Sequence, residues 1–189
     1  MGKAVYLTFD DGPIPEVTPK VLDILDRYGV KATFFMVGEN IDKHPDVFER
    51  VVKAGHAIGN HTYNHLKGWK FSKAEYIANV KKWEEAVERH WTLDIGHRTL
   101  FRPPYGRTWI WQRRAVKALG YEIYLWDVLT RDYDKNRTPE AMLEQIKRQT
   151  RPGSIINFHD SIKSNERMLQ VLPQAIEWIQ SQGYEIKEL

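Results

Sequence analysis

Asp10 and Asp11 stand side by side at the end of an apolar run, Ala4 to Phe9, immediately before Gly12-Pro13. Adjacent carboxylates at the end of a buried strand repel one another and are costly to bury unless a positive group binds them. An Asp-Gly step on its own more often marks a chain reversal, so the pair acquires chemical meaning only through partners. His61 and His65 are the candidates, four residues apart after the apolar stretch Ala57 to Asn60. On a helical turn, positions i and i+4 face the same way. Two imidazoles and the Asp11 carboxylate make a three-ligand site for a divalent ion with coordination positions left open, the pattern of catalytic zinc, whereas structural zinc takes four ligands rich in Cys. The chain has no Cys. The donor set favours Zn2+, with Co2+, Ni2+ or Fe2+ also compatible. An ion there would acidify a water enough to make it a nucleophile near neutral pH. Asp10 is then the candidate base, kept ionised by pairing with Arg102. Attack on an amide or ester carbonyl creates an oxyanion; Pro103 and Pro104 carry no N–H, so Tyr105 offers the first backbone donor after that rigid pair. His159, whose ordinary pKa lies near neutrality, is the candidate acid for a departing amine. Taken singly, a strand-end His or an Arg has an ordinary structural use; what matters is whether they converge.

The same residues carry a resemblance to the polysaccharide deacetylases, carbohydrate esterase family 4, also called the chitooligosaccharide deacetylase homology domain. The first family motif resembles Thr8 to Pro13, the second His61 to His65, the third Arg102-Pro103-Pro104-Tyr105-Gly106, the fourth Trp126 to Tyr133, and the fifth the strand ending at His159. The resemblance covers nearly the whole chain and implies metal-dependent removal of N-acetyl groups from an N-acetylated glycan such as a chitooligosaccharide or peptidoglycan. It implies Asp11, His61 and His65 as metal ligands, Asp10 as base, Arg102 as its orienting partner, the Tyr105 amide as oxyanion donor and His159 as acid. Two positions depart from the pattern. Leu129 stands where the fourth motif commonly has a first Asp, which leaves Asp132, or second to it Asp127, to tune His159. Asn157 stands where the fifth motif usually has a Leu lining the acetyl-methyl pocket. A more polar acyl pocket is the expectation, and Asn157→Leu should then raise turnover of N-acetyl sugars relative to other amides.

Apolar, β-branched and aromatic runs alternate with segments of helical period. Strands are expected at Ala4 to Phe9, Ala32 to Val37, Ala57 to Gly59, Leu100 to Arg102, Glu122 to Val128, Ser154 to Phe158 and Tyr184 to Lys187. Helices are expected at Pro19 to Tyr28, capped by Thr18, at Pro45 to Ala54, at Ile110 to Leu119 and at Met168 to Gln182. Ser72 with Glu75 is a capping box for a helix reaching Arg89, and Thr138-Pro139-Glu140 opens another running to Arg148. Alternating strands and helices imply a parallel sheet, and about seven strands fall short of an eight-unit barrel. The expectation is an α/β fold, a distorted, incomplete (β/α)7-type barrel forming a single domain over residues 1–189, which is also the fold the resemblance implies. Asp10, Asp11, His61, His65, Arg102, Tyr105, Asp132 and His159 all fall at or just beyond carboxyl ends of these strands, the face where parallel α/β folds bind ligands.

With 189 residues, 42% hydrophobic, and no linker or low-complexity run, one domain with a sizeable core is expected. The net charge of +3 comes from 28 basic and 25 acidic residues interspersed along the chain, as where Lys81 and Lys82 meet Glu84, Glu85 and Glu88. That is a solvated helix face, which argues against nucleic acid as a partner. No run approaches the roughly 18 apolar residues of a membrane span, and Met1-Gly2-Lys3 leads into strand-like sequence with no signal peptide. As written the chain reads as cytoplasmic, although the resembled family often works on envelope or extracellular glycans; no protein partner is indicated. His44, His56, His90 and His97 have no partner pattern. Trp69, Trp109, Trp111, Trp126 and Tyr63 are candidate platforms for sugar rings, with packing as their commoner use. Other readings stay open: an O-acetyl esterase or cyclic amide hydrolase on the same site, a non-haem iron oxygenase with the same ligand triad, and a carbohydrate-binding relative without turnover.

Overall fold

The structure, a computed structural model, describes residues 3–92 and 99–189; Met1, Gly2 and His97 lie outside them. Its strands are β1 (Lys3–Asp10), β2 (Thr33–Met36), β3 (Ala57–Asn60), β4 (Leu100–Phe101), β5 (Glu122–Ile123), β6 (Val128–Leu129), β7 (Ile155–His159) and β8 (Tyr184–Lys187). The helices are α1 (Thr18–Arg27), α2 (Gly38–Lys43), α3 (Pro45–Lys53), α4 (Lys73–His90), α5 (Ile110–Ala118), α6 (Pro139–Gln149) and α7 (Asn165–Ser181). All strand pairings are parallel, in the order β5-β4-β3-β2-β1-β7-β6, with β8 added to β1. Tyr6 pairs with both Ile155 and Lys187, and Thr8 with both Asn157 and Thr33. Thus β8 and β2 lie one after the other along the same edge of β1, opposite β7.

Side chains alternate across this sheet. Phe9 stacks between Phe34 at 5.0 Å and Phe158 at 5.7 Å, its register neighbours on β2 and β7. This aromatic row belongs to the main core, with Val21 and Leu25 of α1 and Met168, Leu172 and Ile176 of α7. The opposite face carries Thr8, Asp10, Phe35, Asn157 and His159. The guanidinium of Arg102, just after β4, bonds Asp10 on β1 and Asn157 on β7. Along the hydrogen-bonded path β7 is four strands from β4, roughly 19 Å in a flat sheet at 4.8 Å per strand, far beyond one arginine. The sheet is therefore curled around its second face into a half-barrel.

Two local expectations change, and one helix appears where none was expected. The strand expected from Glu122 to Val128 is two strands at opposite ends of the path, β5 on β4 and β6 on β7. The carbonyls of Tyr124 and Leu125 between them are taken by Arg102 Nε at 3.1 Å and Nη2 at 2.8 Å instead of by a neighbouring strand. Thr18 is the first residue of α1, not its cap; its hydroxyl accepts from Ile14 N and donates to Asp160. Helix α2, six residues long, is too short for its period to register in the sequence. The Ser72–Glu75 capping box and the Thr138 cap form as expected.

Candidate active site

Strand β1 ends at Asp10, and the chain turns at Asp11 with φ of 85°. Among the described residues, five non-glycine positions have positive φ: Asp11, Thr62, His65, Tyr105 and Arg131. All lie on the loops after β1, β3, β4 and β6, at the carboxyl end of the sheet. Left-handed backbone costs a side-chain-bearing residue about 1 kcal/mol or more and gathers where function requires it. His61 to His65 do not form the helical turn suggested by their spacing: no helix is assigned there, and positive φ at Thr62 and His65 instead folds the loop back. The two imidazoles still meet, with ring centroids 5.1 Å apart.

Ligand atoms of Asp11, His61 and His65 lie within 4.8 Å of one another. Asp11 Oδ1 is 3.2 Å from His65 Nε2 and 3.7 Å from His61 Nε2. His61 Nδ1 lies 2.7 Å from the Arg102 carbonyl, which can only accept, so that nitrogen carries the proton and Nε2 presents a lone pair toward Asp11. Burial, which outweighs the Asp10 charge that would favour the cations, pushes both histidines down to about 4, leaving them neutral at ordinary pH. Asp11 Oδ1 is buried with no hydrogen-bond partner, and burial, together with the Asp10 and Asp132 charges, raises the Asp11 pKa. An orphaned carboxylate oxygen facing the Nε2 atoms of two neutral imidazoles is a donor set that fits a divalent cation.

Asp10 is buried and paired. Its Oδ1 accepts from Arg102 Nη1 at 2.8 Å and its Oδ2 from Asn157 Nδ2 at 3.1 Å. Burial alone would raise its pKa, but Arg102, His61 and His159 outweigh burial and hold the carboxyl below its usual range. Arg102 is itself fully buried, with its guanidinium 4.0 Å from the centre of the Phe35 ring. Asn157 does not line an acyl pocket as the sequence suggested. It is fully buried, and its amide is engaged by Asp10, Arg102 Nη1 at 2.6 Å and Thr8 Oγ1 at 2.9 Å.

His159 ends β7 and is tied to Asp132, whose carboxylate accepts from the His159 N–H at 2.7 Å and lies 2.8 Å from Nδ1. Burial opposes the imidazolium, but the Asp132 charge and hydrogen bond, with Asp10 and Asp11 behind them, raise the pKa to about 9. Leu129 therefore leaves His159 with a carboxylate partner all the same. Asp127 is not that partner: its Oδ2 accepts from Ile155 N at the other end of β7. Tyr133 meets the His159 ring edge-on at 5.0 Å.

Tyr105 is 48% exposed, its ring 4.7 Å from His65 and 5.4 Å from Trp69. Among the described residues, no acceptor is bonded to its N–H. Lys67 lies over the Tyr105 ring and Arg107 over Trp69, so an aromatic wall with cationic edges adjoins His65. Trp109 is exposed as well, whereas Tyr63 is tied down by Asp42 and Lys82. His56 accepts from Ala32 N, and His90 pairs with Asp42, both away from this cluster. Asp160 was not singled out from the sequence. It is buried, with a pKa raised to about 8 by that burial, and it accepts from Gly12 N and Thr18 Oγ1, fastening the turn that carries Asp11 to the end of β7. Its only sequence signal is its place beside His159. A Cβ on Gly12 would lie 2.1 Å from Asp160 Oδ2, so this close approach needs glycine.

Comparison with known proteins agrees with this geometry. Residues 1–124 match the polysaccharide deacetylase family. A peptidoglycan-N-acetylglucosamine deacetylase of Bacillus cereus is 39% identical over 158 residues, covering 83% of this chain and 56% of that protein. A chitooligosaccharide deacetylase of Azorhizobium caulinodans is 33% identical over 201 residues, covering 98% of this chain and 92% of that protein. The chain thus spans little more than half of the first relative and most of the second. A crystal structure of a peptidoglycan N-acetylglucosamine deacetylase superimposes with a TM-score of 0.93 at 34% identity, covering 100% of this chain and 86% of that one. A half-barrel with an Asp-His-His cluster at the carboxyl end of its sheet, matched along its length by such relatives, places this chain in the polysaccharide deacetylase family, carbohydrate esterase family 4.

Proposed function

We propose that the protein is a metal-dependent hydrolase that removes N-acetyl groups from an N-acetylated glycan. One observation carries the reading: the Asp11, His61 and His65 donors converge within 4.8 Å, beside a carboxylate held by Arg102 and an imidazole held by Asp132. Asp11, His61 and His65 would hold a divalent ion, with Zn2+ favoured by the nitrogen and oxygen donors. When bound, that ion supplies an acidified water and a polarised acyl carbonyl.

Asp10, ionised through its Arg102 pairing, accepts a proton from the water that attacks the acyl carbon. The Tyr105 N–H is available to the oxyanion that develops on the carbonyl oxygen. His159, charged at neutral pH because Asp132 faces its Nδ1, gives its proton to the amine nitrogen as the C–N bond breaks. Water and amide thereby become acetate and a free amine. The exposed Tyr105 ring and the half-buried Trp69 beside it suit the apolar faces of sugar rings.

The test is a metal-replete assay on chitooligosaccharides, peptidoglycan fragments and acetylated xylan, scoring amine and acetate released. The expected result is deacetylation of an N-acetylated substrate that chelation abolishes and Zn2+ restores. Release from xylan alone would make the protein an esterase, and activity indifferent to chelation would exclude the mechanism.

A further inference from the structure

The carboxylate of Asp10 needs more than a charge partner, because the terminal torsion of an aspartate is broad and one hydrogen bond leaves its plane free to turn. Arginine usually solves this with a two-pronged grip on both oxygens. Here it does not. Arg102 gives Asp10 only Nη1, because Nε is engaged by the Tyr124 carbonyl and Nη2 by the Leu125 carbonyl. The other oxygen, Oδ2, is held by Asn157 Nδ2 from the neighbouring strand β7. Asn157 cannot easily turn either, since its Oδ1 accepts from Arg102 Nη1 and Thr8 Oγ1. Its backbone carbonyl also accepts from Thr130 N and Oγ1.

We infer that Asn157 is a positioning residue which, with Arg102, closes a three-membered clasp on Asp10 and sets the plane of its carboxylate toward the cluster of Asp11, His61 and His65. The inference rests on the proposed role of Asp10 as base. It assigns this position a different duty from the apolar lining that the resemblance led one to expect. A leucine of similar volume would fill the space and leave Oδ2 with no donor from below.

Asn157→Leu is the test, compared with wild type by kcat, KM, Zn2+ affinity, melting temperature and a crystal structure of the zinc-bound protein. The expected result is a fall of tenfold or more in kcat, with KM within twofold, Zn2+ affinity close to wild type, a melting temperature lowered by the buried partners left unpaired, and the Asp10 carboxylate rotated or in more than one orientation. A kcat within twofold of wild type, or an unchanged Asp10 plane, overturns the inference. So does a loss of Zn2+ affinity that parallels the loss of kcat, which would make Asn157 merely structural. Should the leucine variant not fold, Asn157→Ser removes the same donor without adding apolar bulk and carries the same expectations. If wild type releases no acetate from any substrate, the functional reading fails, and the Asp10 orientation in the variant crystal still decides the role of Asn157.

Discussion

At Arg102 the fold and the proposed chemistry share one side chain. Its three nitrogens reach Asp10, Thr8 and Asn157 as well as the carbonyls of Tyr124 and Leu125. A lysine keeps the charge but offers three donors from one point and cannot serve acceptors on three segments of chain. Arg102→Lys is expected to lower kcat at least a hundredfold and to cost about 2–4 kcal/mol of stability, from buried acceptors left without donors; urea unfolding beside the kinetics checks both. His159 invites a test that involves no substrate. With its pKa at about 9 against an ordinary 6.5, because Asp132, Asp10 and Asp11 outweigh burial, its pairing contributes fully below pH 6.5 and is lost as pH rises through 9. In metal-free protein the stability advantage of wild type over His159→Gln should shrink by roughly 3 kcal/mol between pH 6 and pH 10. An advantage that does not vary with pH would remove the imidazolium from the account.

The elements do two things that no single residue does. Parallel strands bring their carboxyl ends to one side, so loops after β1, β3, β4, β6 and β7 can each lend a side chain to one site. The curl then brings strands far apart in the ladder within reach of one another. Gly59 on β3 is essential to that inner face: a Cβ there would lie 2.4 Å from the Phe35 ring and 3.2 Å from Leu100 Cβ. Phe35 in turn packs against the Arg102 guanidinium, whose central carbon lies 4.0 Å from the ring centre. Gly59→Ala is therefore expected to cost about 1–3 kcal/mol by overpacking and also to reduce kcat, because Phe35 can yield only by disturbing Arg102. A variant with wild-type kcat would show that the ring moves without consequence. The outward face should respond differently. Phe9→Ala, which empties the stack between Phe34 and Phe158, is expected to cost about 3–5 kcal/mol in urea unfolding.

For the whole molecule, the Asp11, His61 and His65 cluster brings together donors that are separate in the unfolded chain, so an ion bound there stabilises the folded state. At a free Zn2+ concentration a hundred times Kd the gain is about 2.7 kcal/mol, or about 5–10 °C in melting temperature for a chain of this size. Asp11→Asn should abolish most of that shift, and an undiminished shift would place the ion elsewhere. No helix among the described residues is long and apolar enough to cross a membrane.

The fold class and the placement of Asp10, Asp11, His61, His65, Arg102 and His159 at or just beyond carboxyl ends of strands were legible in the chain itself, because period and residue type are local and the strand-end rule needs only their order. The helical spacing of the histidine pair is not adopted by the loop, yet the two rings still meet, because positive φ at Thr62 and His65 folds the loop back. The splitting of Glu122 to Val128, the burial of Asn157 beneath Asp10 and the anchoring of the Asp11 turn by Asp160 were decided only when the sheet curled. Each depends on contacts between segments far apart in sequence, and no local pattern encodes which buried donor will meet which acceptor once those segments close around one another.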